Sequence, residues 1–214
     1  GKKILSTGNG RCNLTNYKME EDCYRCGRKD FPMQVIRGFD VKETLDLFMG
    51  LGIVPKDRNG YVYPNSDQAA SVLDVLRTEL ERLKVRILLS CQIEKIEKKK
   101  NGGFLVHTDQ GKVETDALIL AAGSKAAPST GSDGSGYEYA RQLGHSVIKP
   151  LPALVQLRCQ GNLYKQMAGI RTEAEVRLQA DGITLASDRG ELQITDYGLS
   201  GIPIFQVSRY AARA

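Results

Sequence analysis

The apolar positions of the chain change period several times, and each change marks an element. Between Ser66 and Val85, the residues Ala69, Val72, Leu73, Leu76, Leu80 and Leu83 recur at helical spacing, with Glu79, Glu81, Arg82 and Lys84 on the other side. That pattern predicts an amphipathic helix. Asp40 to Gly52 predicts a second helix, with Asp40 and Glu43 forming a capping box at its start and Gly50 or Gly52 ending it. Between them, Asn59-Gly60 is a tight-turn signal, and Val62 begins a short extended piece stopped by Pro64.

Beyond Val85 the period shortens to two. "VRILLSCQIEKIEKK" and "GGFLVHTD" read as strands, and "GKVETDALILAAG" as two more, the last a buried strand over Ala117–Leu120. Asn101-Gly102-Gly103 and Asp109-Gln110-Gly111 supply hairpin turns. "GSDGSGYEYARQLGH" reads as a Gly/Ser loop feeding a short helix that Gly144 ends. Pro150 and Pro152 then predict a boundary between residues 1–149 and 150–214. Past it, "ALVQLRC" and "AEVRLQADGITLASDRGELQITDYG" suggest antiparallel strands with turns at Asp181-Gly182 and Arg189-Gly190, and "GIPIFQVSRYAARA" a helix with Pro203 in its first turn. The first half therefore reads as βαβ-like material with a β-meander inserted, and the second as mostly β.

Composition changes this picture little. The 214 residues allow one substantial core or two small ones, and a net charge of +5 spread along the chain is too diffuse for a nucleic-acid footprint. No apolar run approaches a membrane span, and five scattered cysteines suit a reduced, cytoplasmic protein. Cys23-Tyr24-Arg25-Cys26 is half a zinc site without its second half, so two free thiols are expected there. The basic tip Lys98-Lys99-Lys100 reads as a solvated loop before it reads as a phosphate patch. His107 and His145 have no neighbouring acid or nucleophile in sequence.

The densest chemistry lies in "STGNGRCNLTN", Ser6–Asn16. It lacks the third glycine of a dinucleotide fingerprint and the Gly-Lys-Ser/Thr of a P-loop. Two close glycines nevertheless expose backbone N–H groups, Arg11 adds a positive fork, and Asn13, Thr15 and Asn16 add orienting hydrogen bonds. From the residues alone, a ligand loop and a hydrogen-bonded structural turn are equally supported. The small residues Ala121-Ala122-Gly123 would let a ligand approach the end of a strand closely, or simply end it. Tyr17, Tyr61 and Tyr63 suit either a flat aromatic pocket or ordinary half-buried packing.

"GKKILSTGNGRCNLTN", "GYVYPNSDQAASVLDVL", "ALILAAGSKAAPSTGSDGSGYEYARQLGH", "PLPALVQL", "AGIR" and "TDYGLSGIPIFQVSRYAAR" follow one another in an order that resembles the HI0933-like, aminoacetone-oxidase-like flavoproteins, a family with a bile-acid-reducing member. The resemblance implies an α/β fold: a partial Rossmann-like FAD-binding domain carrying the β-meander, then a partial barrel-like, mostly-β domain ending in the start of a helix. It implies FAD as cofactor, with Thr7, Gly8, Gly10, Arg11, Cys12, Asn13 and Thr15 along the flavin, Gln92 and Ile93 beside the adenine, and Ala121, Ala122 and Gly123 packed beside the cofactor. Arg11 and Tyr63 would face the substrate. The expected activity is hydride transfer between flavin and a small organic substrate, with a nicotinamide donor or O2 as electron partner and no nucleic acid or membrane. The alternative is a nucleic-acid or anion-binding module.

By the same resemblance, the chain lacks the family's opening GxGxxG turn with its ribose-binding glutamate, and its closing FAD segment. Weak or absent FAD binding by the chain alone is therefore expected, as is self-association through exposed edges.

Overall fold

The computed structural model describes all residues, 1–214, and they divide into two compact units, Gly1–Leu143 and Gly144–Ala214. In the first, a short helix α1 (Lys2–Ser6) leads through a one-turn 3-10 segment (Thr7–Gly10) into β1 (Thr15–Asn16). Helices α2 (Phe31–Ile36) and α3 (Val41–Gly50) follow, then the hairpin β2 (Pro55–Arg58) and β3 (Tyr61–Pro64), and α4 (Ala69–Arg82). The capping box of α3 is formed: Glu43 N–H donates to Asp40 Oδ1 at 3.0 Å, and Asp40 N–H donates to Glu43 Oε2 at 2.8 Å. Asn59 and Gly60 make the hairpin turn, both with positive φ.

Strands β1, β3 and β2 form one antiparallel sheet in that order. Strand alternation sends Val62 and Pro64 inward, and both are fully buried. Alongside, Cys12, Ile53, Ala69 and Val72 form a core that gathers Ile4 of α1, Leu14, Phe48 of α3, and Val75 and Leu76 of α4. The first half of the apolar face read from the sequence of α4 packs, through Ala69, Val72 and Leu76, while Leu80 and Leu83 at its far end are exposed.

The meander follows as β4 (Ile93–Lys98), β5 (Phe104–Thr108) and β6 (Gly111–Thr115), with both expected turns in place. Helix α5 (Ser135–Gln142) covers it, and Ile96, Val106 and Tyr139 form its core.

One expected strand, Ala117–Leu120, does not form, and the strand expected from Val85 forms only in its second half, as β4. Residues 117–120 are irregular, and Ile119 is 91% exposed. The register explains this: Thr115 pairs with Phe104, the first residue of β5, and beyond Phe104 the partner strand has already turned at Asn101–Gly103. Likewise β4 starts only at Ile93, opposite Thr108, so Val85–Gln92 has no ladder partner and Leu89 is 77% exposed. Gln110 Nε2 donates to the carbonyls of Leu89 and Ser90 and holds that segment instead.

The second unit holds β7 (Leu157–Arg158), α6 (Leu163–Gln166), β8 (Arg171–Ala180), β9 (Ile183–Thr195), β10 (Gly198–Gly201) and α7 (Ile202–Ala211). Its antiparallel sheet runs β7-β10-β9-β8 and is open, so the barrel-like closure expected from the resemblance is not present: the outer strands β7 and β8 do not meet. Asp181-Gly182 turns β8 into β9 as expected, but Arg189-Gly190 is no turn. Both residues lie within β9, opposite Glu175 and Ala174, and a side chain on Gly190 would sit 3.5 Å from Pro203. That glycine serves the packing of α7, whose Ile204 and Val207 are buried with Ile194. Strand β8 is a ten-residue outer strand carrying Arg171, Glu173, Glu175 and Arg177, with Arg177 forked onto Glu175 at 2.7 and 3.0 Å and Arg171 paired with Glu191 at 3.3 Å.

Candidate cofactor site

The loop Thr7–Thr15 is a backbone with an unusual share of left-handed residues. Gly8, Asn9 and Gly10 all have positive φ, Arg11 returns to the right-handed region, and Cys12 is left-handed again at φ 61°. The folding of the loop on itself explains the cost. Arg11 N–H donates to Gly8 C=O at 3.2 Å and Cys12 N–H to Thr7 C=O at 3.0 Å, while Thr7 Oγ1 donates to Ile4 C=O at 3.0 Å. A Cβ on Gly8 would lie 2.8 Å from Asn13 N and 3.1 Å from the Tyr63 ring. Asn13 Nδ2 reaches Val62 C=O at 3.0 Å and Thr15 C=O at 3.2 Å, and Leu14 N–H donates to Val62 C=O at 2.8 Å. The loop is therefore sewn to β3, and that brings Arg11 to 6.0 Å from the centroid of Tyr63.

The loop suits a dinucleotide cofactor in two respects. Its backbone is bare at Gly10, where a Cβ would meet nothing closer than Leu5 O at 4.0 Å. The half-exposed Arg11 guanidinium is free to meet a phosphate. In a third respect it differs from a phosphate cradle: the N–H groups of Arg11 and Cys12 are already spent inside the loop. Its contribution to an anion is the Arg11 charge more than a backbone nest.

The other predicted positions converge on α5. Gln92 N–H donates to Asp109 Oδ1 at 2.8 Å, Asp109 N–H donates to Gln92 C=O at 3.1 Å, and Tyr139 Oη donates to Ile93 C=O at 2.5 Å. Ala122 and Gly123 lie against Gly136 in the first turn of the same helix, where a Cβ would come within 3.2 Å of Ala122 Cβ. One helix thus fixes the start of the meander through Tyr139 and the Ala121–Gly123 segment through Gly136. Sequence reading missed both residues, although a glycine and a tyrosine three apart mark one helix face.

A second cluster also went unread. Asp67, in a left-handed turn at φ 53°, accepts from Lys56 Nζ at 3.0 Å and Arg58 Nη2 at 2.5 Å. Hydrogen bonding from Lys56, then from Arg58, holds its carboxyl below the ordinary 3.8 against the opposing effect of desolvation. On the meander, Lys95 and then His107 lower the Glu97 carboxyl in the same way. Cys23 and Cys26 are exposed free thiols. No group of three or more His, Cys, Asp or Glu side chains forms a metal cage, and no helix is long and apolar enough to cross a membrane.

This chain belongs to the HI0933-like family: the model of the HI0933-like protein Rossmann domain matches residues 1–208. Among curated proteins it is 48% identical to a 3-dehydro-bile acid delta(4,6)-reductase of Clostridium scindens, over all of this chain and 52% of that protein. It is 27% identical to a ribosomal RNA dihydrouridine synthase of Escherichia coli, over 98% of this chain and 52% of that protein. A protein of the same name from Haemophilus influenzae is 24% identical over 98% of this chain and 53% of its own length. The chain spans about half the length of the curated relatives it matches.

Proposed function

We propose that this chain is the cofactor-binding part of an FAD-dependent reductase that saturates a carbon–carbon double bond conjugated with a carbonyl. The observation that carries the reading is the 48% identity with a bile-acid reductase along the whole chain. The reactions of the relatives then narrow the chemistry. A 3-dehydro, delta(4,6) bile acid joins a ring carbonyl to conjugated double bonds, and dihydrouridine is uridine with the ring double bond beside its carbonyl reduced. Both products would follow from a hydride, the chemistry that bound flavin would supply, added to the far end of an enone-like system, with a proton from solvent completing the saturation.

The chain's own residues have the supporting roles. Arg11 would meet the negative charge of the cofactor, and the bare backbone at Gly10 would leave room for its approach. Tyr63 and Arg11, side by side, would present a flat face and a cation to the substrate and hold its carbonyl in register. The Thr7–Thr15 loop is closed on itself and tied to β3, so these groups are positioned before a ligand arrives.

The test uses the full-length gene product. It is expected to purify with, or take up, FAD, and to oxidise a nicotinamide donor when offered a cyclic enone or a uridine-containing RNA. Arg11→Ala is expected to weaken FAD binding about ten-fold, as for loss of one charge-assisted contact. A product that holds no FAD after reconstitution overturns the flavin reading. A flavoprotein that reduces neither substrate overturns the substrate class.

A further inference from the structure

Strand β4 is an outer strand of the β4-β5-β6 meander, and its free edge is bounded at both ends. At one end a bulge between Ile93 and Lys95 interrupts the ladder, and Tyr139 Oη occupies the Ile93 carbonyl. At the other, Lys99 N–H donates to Gly103 C=O at 3.0 Å as the chain turns into β5. Inward and outward backbone groups alternate along an antiparallel strand. Since Lys99 is bonded inward, Lys98 and then Ile96 turn their N–H and C=O groups away from β5, where no strand stands beside them. A groove of about 740 Å³ runs along this edge, lined by residues 94–98 and by Gln142 and Leu143 at the end of α5. Glu94 and Lys98 are exposed there and enter no ion pair within the chain, while Lys95 and Glu97 hold each other at 2.7 Å.

We propose that β4 pairs antiparallel with β4 of a second copy of this chain, about a two-fold axis at Ile96, so that two three-stranded meanders join into one sheet. The charge order of the edge selects the partner, because Glu94-Lys95-Ile96-Glu97-Lys98 is its own antiparallel complement. With Ile96 opposite Ile96, Glu94 meets Lys98 and Lys95 meets Glu97, and the symmetry repeats both pairs on the other side of the axis. The register is also unique. A slip of one residue opposes Glu94 to Glu97 or Lys95 to Lys98, and a slip of two opposes Lys95 to Lys95 or Glu97 to Glu97. The central pair uses the outward N–H and C=O of Ile96 in both copies, and the groove leaves room for the incoming strand. Ile96 itself stays under α5, since residues opposite one another across a ladder lie on the same face. The other free edge, β6, is a poorer candidate: it carries only Lys112 and Glu114, and Glu114 is already engaged by Lys99 at 2.6 Å. The contact lies on the meander, and its existence is independent of the flavin chemistry.

Sedimentation equilibrium of the full-length gene product tests it. The parent is expected to form a dimer that weakens as salt rises. Glu94→Lys and Lys98→Glu should each weaken the dimer at least about ten-fold, because each sets like charges face to face on both sides of the axis. Mixed in equal amounts, these two single variants should pair with each other as tightly as the parent pairs with itself, since each supplies the charge the other lacks. That mixture also shows that both variants are folded. The double variant Glu94→Lys, Lys98→Glu restores every opposite pair and should dimerise like the parent. Lys112→Glu on β6, and Leu89→Lys with Ile119→Lys on the exposed apolar segments, should keep the dimer. The proposal is overturned by a parent that stays monomeric at high concentration, by a dimer indifferent to salt, or by single variants that dimerise normally. It is equally overturned by single variants that stay apart when mixed, by a double variant that does not dimerise, or by loss of the dimer in the Lys112 or the Leu89 and Ile119 variants.

Discussion

Gly8 shows how much one residue decides in the Thr7–Thr15 loop. It is left-handed, and its missing side chain is what lets the turn close against Asn13 and Tyr63. Gly8→Ala is expected to cost about 1–3 kcal/mol, from the left-handed backbone together with the contact to Asn13 N, and to lower the unfolding temperature in calorimetry. An unchanged transition would mean that the loop relaxes without loss. The sequence announces this loop through its composition but leaves its role open, because the decisive partners are far away in the chain. Asn13 looks like a group for a ligand, and in the fold its amide binds Val62 C=O, 49 residues on. Arg11 stands out in the sequence by its glycine-rich setting, but only the folding of β3 brings Tyr63 beside it.

Among the elements, those with local causes were legible and those with remote causes were not. The α3 cap, the α4 stripe and the hairpin turns at Asn59-Gly60, Asn101–Gly103 and Asp181-Gly182 each depend on residues within a few positions, and all are present. Val85–Gln92 and Ala117–Leu120 carry strand-like patterns, but a strand is completed by its neighbour, and β5 is too short to serve either segment. Gly190 looks like a turn for the same reason, since its cause is Pro203 of a later helix.

The β2–β3 hairpin carries a testable charge clasp. Asp67 is held below its ordinary 3.8 by Lys56 and Arg58, so its contribution is fully present above that value and fades as the pH falls through the lowered one. In thermal unfolding between roughly pH 6 and pH 2, the parent should lose its advantage over Asp67→Asn on acidification and hold it at the neutral end. A difference that does not change with pH would show that the clasp contributes nothing.

At the scale of the molecule, two units carry separate cores, and the first leaves apolar side chains in solvent. Leu83, Val85, Ile87, Leu88 and Leu89 are exposed along one unpaired segment, and Ile119 along another. Such surface favours contact between copies. Light scattering of this chain is expected to show association that grows with concentration and falls in a Leu89→Lys, Ile119→Lys double variant. A parent that stays monomeric at high concentration would show that these segments are covered from within. The second unit has an open edge of another kind in β8. Fibrils grow by stacking identical strands in register, and on β8 that would set Arg171 upon Arg171, Glu173 upon Glu173, Glu175 upon Glu175 and Arg177 upon Arg177 at every rung. The strand is thus open to a partner of complementary pattern and closed to copies of itself laid in parallel, which makes its charge sequence a safeguard against amyloid as much as a source of solubility.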